Sequence, residues 1–273
     1  MQFTKYHGLG NDFIFVEDIG GILLPRGEML ATALCHRQFG IGADGLVFIT
    51  KEADMYTMRI FNADGSEAEM CGNAIRCMAD YLLMRGLVTG SMVQIGTLSG
   101  VKEIRVLDEL YVVDMGKPDF SFLQGEAVEI VSHGLTWNAY PVSMGNPHAV
   151  VFVDDLGELN LAIWGPRLET AEVWPNGANI EFTQVLSPNH LKVKVWERGA
   201  GSTLACGTGA CAAAAMAARQ GLTQELTAGP IQVSLPGGDL AICGAPDNHV
   251  HMAGPAVEVF SGRIDISRLE RER

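Results

Sequence analysis

One short pattern occurs twice in this chain, and it constrains the fold more than any other feature. Met70-Cys71-Gly72-Asn73-Ala74-Ile75-Arg76-Cys77 follows strand-like sequence and opens an apolar helical stripe. Ala205-Cys206-Gly207-Thr208-Gly209-Ala210-Cys211 does the same further on. The two Cys-Gly pairs lie 206 − 71 = 135 residues apart, about half of the 273-residue chain. The spacing predicts a duplication in which each half supplies one cysteine at one helix start.

The surrounding pattern supports two halves of one plan. Strands are expected at 12–18, 46–50, 55–61, 91–96, 101–107 and 110–115, with helices over 27–38 and 72–85. In the second half, strands are expected at 138–144, 149–154, 178–185, 191–196, 230–235, 239–243 and 249–252, with a helix from about 207 to 220. The expected halves are 1–120 and 121–254, with a segment at about 255–273 returning to the first.

Position gives the two cysteines a chemistry. A helix N-terminus has N–H groups without intrahelical partners and a partial positive charge, so a thiol there is expected to ionise more easily. The glycine after each cysteine lets a carboxylate approach those N–H groups. Two such helix starts facing one another would cradle a carboxylate, with one sulfur on each side of the carbon that bears it. That arrangement suits inversion at this carbon: one thiolate takes the α-proton from one face while a thiol delivers a proton to the other.

Composition narrows the partners. Lys and Arg number 19 against 32 Asp and Glu, a net charge of −13, which disfavours nucleic acid. The small-apolar run Ala210 to Ala218 is about half of a bilayer span, so no membrane partner is expected. The start MQFTKYHGLGNDF lacks the pattern of a secretory leader, and the chain reads as cytoplasmic. Six cysteines over this length are too few for a disulfide scaffold, and Cys71/Cys77 and Cys206/Cys211 are spaced too widely for zinc pairs. No metal is expected, and Cys35, Cys77, Cys211 and Cys243 read as packing.

These residues and their neighbours resemble the diaminopimelate epimerases, cofactor-independent enzymes of bacterial and plant lysine synthesis. The matching segments are Gly8-Leu9-Gly10-Asn11-Asp12-Phe13, Phe61-Asn62-Ala63-Asp64-Gly65-Ser66, Glu69-Met70-Cys71-Gly72-Asn73, Met144-Gly145-Asn146-Pro147-His148, Gly177-Ala178-Asn179-Ile180-Glu181-Phe182, Trp196-Glu197-Arg198-Gly199 and Ala205-Cys206-Gly207-Thr208-Gly209. The resemblance implies an α+β fold of two similar, pseudo-symmetric domains. Each is a mixed β-sheet or barrel wrapped around a central helix, and the active site lies in the cleft between them. It also implies interconversion of LL- and meso-diaminopimelate without cofactor or metal, in a homodimer.

By this resemblance Cys71 and Cys206 are the acid/base pair, assisted by His148 and Glu197. The substrate carries two ammonium and two carboxylate groups, which gives the other motif residues a use. Gly72-Asn73 and Gly207-Thr208 would offer helix-start N–H groups to the carboxylate at the reacting centre. Arg198 fits the distal carboxylate as a bidentate fork. Asn11, Asn62, Asn146 and Asn179 would fix the distal centre, Glu197 would receive an ammonium, and His148 would lie near the reacting amino group. Gly45 stands where many relatives carry glutamine, so no ligand role passes to it, and Ala74 and Ser202 also depart from the motifs.

Three alternatives remain open. A proline or hydroxyproline racemase of the same fold also uses two cysteines, but has His after Met-Cys-Gly where this chain has Asn73, and Asp before its second cysteine where this chain has Leu204-Ala205. The phenazine-type isomerases share the fold without the cysteine pair. A redox switch would join Cys71 and Cys206 as a disulfide.

Overall fold

The computed structural model describes residues 1–267. The last part of the expected 255–273 segment, residues 268–273, lies outside the described residues. The chain divides into two compact units. The first runs from Met1 to Val113 and takes in the chain again from Pro255; the second is Asp114–Gly254.

In the first unit the elements are β1 (Gln2–Gly8), β2 (Asn11–Glu17), α1 (Gly27–Leu34), β3 (Gly45–Glu52), β4 (Met55–Asn62), β5 (Glu67–Ala68), α2 (Gly72–Met84), β6 (Met92–Thr97), β7 (Gly100–Leu107) and β8 (Leu110–Asp114). The second contains β9 (Val128–Ser132), β10 (Leu135–Ser143), β11 (Pro147–Phe152), α3 (Leu161–Glu169), β12 (Asn179–Ser187), β13 (His190–Glu197), β14 (Gly201–Thr203), α4 (Gly207–Arg219), β15 (Ile231–Leu235), β16 (Gly238–Gly244) and β17 (Val250–Gly254). Past Gly254 the chain adds β18 (Val257–Arg263) to the first unit.

Strand pairing shows the duplication directly. In the first unit β1–β2 is antiparallel, β2–β3 parallel, β3–β4 and β4–β5 antiparallel, β4–β6 parallel, and β6–β7 and β7–β8 antiparallel. The second unit repeats the series: β10–β11 antiparallel, β11–β12 parallel, β12–β13 and β13–β14 antiparallel, β13–β15 parallel, β15–β16 and β16–β17 antiparallel. Helices sit at matching places. α1 and α3 each fill the crossover between the first parallel pair, and α2 and α4 the crossover between the second. One strand is supplied differently. β10 receives β9 from just before it, whereas β1 receives β18 from the far end of the chain.

Each unit closes around its longer helix. On α2, the residues from Gly72 to Ala79, then Tyr81 and Leu82, are buried. On α4, every residue from Gly209 to Ala218 is buried, and the helix packs against strands β10–β13 and β15–β17. An apolar helix enclosed on all sides is what its composition requires: eight of those ten positions are Ala or Gly, and small side chains let strands approach its backbone. Among the described residues no helix is long and apolar enough to cross a membrane.

Three expectations need correction. The helix expected over 27–38 ends at Leu34. Beyond it Ile41 and Gly42 donate back to the Leu34 carbonyl, and a Cβ on Gly40 would meet the Ala33 carbonyl at 2.4 Å, so the chain folds tightly onto the helix end. α3 was not expected; it contains Gly165-Pro166, a pair that ordinarily interrupts a helix. Strands β1, β5, β9, β14 and β18 also went unread. β18, for instance, depends on pairing between residues 250 or more positions apart.

Candidate active site

Each recurrent cysteine is the residue at which extended chain turns into helix. Cys71 has φ −139° and ψ 123° before α2, and Cys206 has φ −116° and ψ 112° before α4. Both backbone carbonyls accept the first intrahelical bond, from Ile75 and Ala210. All six cysteines are free thiols.

In the first unit, Asn11 anchors the cysteine's surroundings. Its Oδ1 accepts from Asn73 Nδ2 at 3.0 Å and from Cys71 Sγ at 3.9 Å, while its Nδ2 donates to Asp44 at 2.8 Å. Asp44 in turn pairs with Arg37, which also forks onto Asp12. Burial pushes the Asp12 carboxyl up, but hydrogen bonds from Arg37 and Lys5 outweigh this and hold it at about 2. Beneath Asn73 lies Arg76, wholly buried, with Nη2 on Asn73 Oδ1 at 2.9 Å, Nη1 on the Gly72 carbonyl and Nε on the Pro255 carbonyl. Asn62 is not drawn into this group; it is exposed and donates to Ser66 within its own loop.

In the second unit the corresponding asparagine is Asn146. It follows a glycine of positive φ, as Asn11 does, and reaches the residue two beyond the cysteine: its Nδ2 lies 3.5 Å from Thr208 Oγ1. The Thr208 hydroxyl is 3.4 Å from Cys206 Sγ, and the Gly209 N–H donates to the same sulfur at 3.4 Å. His148 is buried on β11, with Nε2 on Asn146 Oδ1 at 2.9 Å and Nδ1 on Glu181 Oε1 at 2.7 Å. Glu197 takes a 2.6 Å bond from Thr203 and a further one from Cys206. Asn179 bridges from the Pro147 carbonyl to the Arg198 backbone N–H, and the exposed Arg198 guanidinium donates to the Asn176 carbonyl.

Charge around Cys206 overturns one expectation. A helix start alone favours a thiolate, yet the Cys206 thiol is pushed well above its usual range. Burial is the largest cause, followed by the carboxylates of Glu197 and Glu181; bonds from Thr208 and Gly209 oppose it and lose. Burial likewise raises the Glu197 carboxyl, against bonds from Thr203 and Cys206.

The chain matches the diaminopimelate epimerase family over residues 3–121 and 140–259. The chain belongs to this family. It is 46% identical to the diaminopimelate epimerase of Pelotomaculum thermopropionicum, over 96% of this chain and 98% of that one. It is 45% identical to that of Moorella thermoacetica, with the same coverage. Solved structures with the same fold include a phenazine biosynthesis protein of the PhzF family from Bacillus anthracis (TM-score 0.75, 17% identity, 97% of this chain and 99% of that one). Another is a hydroxyproline epimerase from Agrobacterium vitis (TM-score 0.68, 13% identity, 96% and 91%). Diaminopimelate epimerases are isomerases; in this chain a cysteine stands at the start of each of the two long helices.

Sequence reasoning gave no role to Asp44, Arg76, Glu181 or Thr203. Arg76 had a readable signal: it is a charged residue set between Ile75 and Cys77 in the apolar stretch that opens the first long helix.

Proposed function

We propose that the chain interconverts LL- and meso-2,6-diaminopimelate by passing an α-proton between Cys71 and Cys206. The observation that carries this is the duplicated one: in each unit a cysteine caps the buried helix, with an asparagine bound beside it. Inversion at carbon needs a base on one face and an acid on the other, and two equivalent thiol sites meet that need. Cys206 rests as the thiol, so in the first direction it delivers the proton and Cys71 takes one. As the proton leaves, charge flows into the substrate carboxylate, where the helix-start N–H groups of Gly72-Asn73 and Gly207-Thr208 stabilise it.

The other roles follow from chemistry. A substrate ammonium against Glu197 offsets a carboxylate that opposes ionisation of Cys206, so binding makes this thiol easier to ionise for the reverse direction. Arg198 takes the distal carboxylate, with Asn11, Asn62, Asn146 and Asn179 as neutral partners, and His148 serves the reacting amino end. The same reading makes the enzyme a cytoplasmic homodimer that works without cofactor or metal.

Incubation of the purified protein with LL-diaminopimelate in D₂O tests this. Deuterium enters one α-carbon and the meso isomer accumulates, while Cys71→Ala and Cys206→Ala each lose epimerisation by at least about 100-fold. Exchange into proline in place of diaminopimelate, or full activity in either variant, overturns the proposal.

A further inference from the structure

Glu169 closes α3 and has no part in the mechanism above, yet both oxygens of its carboxylate are used. Oε2 accepts from the Trp196 indole Nε1 at 2.7 Å, and Oε1 from the Gly199 backbone N–H at 2.9 Å. Between these two donors stand Glu197 and Arg198, which the proposed function assigns to a substrate ammonium and to the distal carboxylate. An indole N–H and a backbone N–H can only donate, so both oxygens are acceptors and the direction of each bond is fixed.

The surroundings of this grip are closely fitted. Residues 197–200 turn from β13 into β14, with the Ala200 N–H on the Glu197 carbonyl at 3.1 Å and Gly199 at φ 76°. That bond leaves the Gly199 N–H outside the turn's own hydrogen bonding, and Glu169 receives it. The indole lies against two glycines: a Cβ on Gly165 of α3 would meet it at 2.3 Å, and one on Gly201 of β14 at 3.5 Å. Arg198 is held at its base. Its N–H donates to Asn179 Oδ1 at 2.9 Å, its Nη1 donates to the Asn176 carbonyl at 3.2 Å, and a Cβ on Gly177 would come within 3.3 Å of its Cδ. Glu169 reaches that stretch too, because its backbone carbonyl accepts from Ala178 at 3.2 Å. One residue therefore binds the chain on either side of Glu197-Arg198 and also the segment beside the Arg198 stem.

We propose that Glu169 is a positioning residue for Arg198: it clamps the turn from Trp196 to Gly199 so that the guanidinium starts from a fixed base, and so sets how tightly the enzyme holds the distal carboxylate. This deepens the proposed function and rests on Arg198 receiving that carboxylate. The guanidinium is exposed on a long stem, and a fixed base reduces the freedom it must give up on binding. A contact made equally in ground state and transition state changes KM and not kcat.

The test uses Glu169→Gln, which keeps the shape but replaces one acceptor by an NH₂ group. That group faces a donor, so either the Trp196 or the Gly199 bond is lost. With diaminopimelate, KM rises about 10-fold or more while kcat stays within about twofold. In an Arg198→Ala background the same substitution raises KM by no more than about twofold, because the group it positions is gone. Trp196→Phe keeps an aromatic ring against Gly165, removes the N–H, and moves KM in the same direction. Without substrate, ¹⁵N relaxation shows the Arg198 and Gly199 amides as ordered as β13 in the unaltered protein and looser in Glu169→Gln. An unchanged KM in Glu169→Gln, a fall in kcat as large as the rise in KM, or full additivity with Arg198→Ala overturns the proposal, as do unchanged amides. Should the protein fail to turn over diaminopimelate at all, the proposed function falls, and the amide relaxation still decides whether Glu169 holds the turn.

Discussion

At the scale of single residues, the site is built from groups whose chemistry is set by what touches them. Cys206 shows this best. A helix start pulls its thiol toward ionisation, while burial and two carboxylates push harder the other way. Gly209 stands where these influences meet, between the sulfur at 3.3 Å and Glu181 at 2.8 Å from its Cβ position. Gly209→Ala gains helix propensity of about 1 kcal/mol. It also forces a shift in a fully packed place, costing about 1–3 kcal/mol. The expected result is a thermal midpoint no higher than that of the unaltered protein and kcat at least about 10-fold lower, read by calorimetry and by the D₂O assay. A variant both more stable and fully active would show that the close approach has no function. The cysteines were legible in sequence because a Cys-Gly pair at a helix start recurs with its context. Glu181 was not, because a glutamate flanked by Ile180 and Phe182 looks like the solvent-facing member of an alternating strand. Only tertiary packing shows that both faces of β12 are covered.

Elements carry these residues to their places, and here breakers mislead. α3 contains Gly165-Pro166 and still forms, because Gly165 lies against the Trp196 ring, where a Cβ would meet the indole at 2.3 Å. The same indole donates to Glu169 at the end of α3. This contact fixes the end of β13, from which Glu197 and Arg198 project. Gly165→Ala should therefore destabilise by about 1–3 kcal/mol through overpacking. Its KM for diaminopimelate should rise at least severalfold as Arg198 moves, measurable by denaturant unfolding and steady-state kinetics. Unchanged stability would mean the indole can move freely. The hairpins, by contrast, were readable. Pro188-Asn189 and Pro236-Gly237 turn between the strands expected at 178–185 and 191–196 and at 230–235 and 239–243, because the conformations those turns need are set within a few residues.

For the whole molecule, two compact units repeat one strand order, and the first is completed by chain from the far end. β1 lies between β2 and β18, the Met1 ammonium donates to the Ile264 carbonyl, and Arg85 and Tyr6 both bond Glu258. A chain ending after Gly254 loses all of these partners, together with the Pro255 carbonyl that receives Arg76. Hydrogen exchange should then show protection lost in β1, β2 and α2, with a fall in thermal midpoint of at least about 10 °C. Native protection of β1 in the shortened chain would contradict this.

By itself the sequence determined the duplication, the helix-start cysteines and most hairpins, because these depend on periodicity and turn chemistry that act over a few residues. Tertiary structure alone decided that β18 completes the first unit, that a glycine-proline pair sits inside a helix, and that Glu181 is buried against His148. Each of those outcomes depends on which distant atoms arrive at the same place, and burial, close approach and charge proximity exist only once they do.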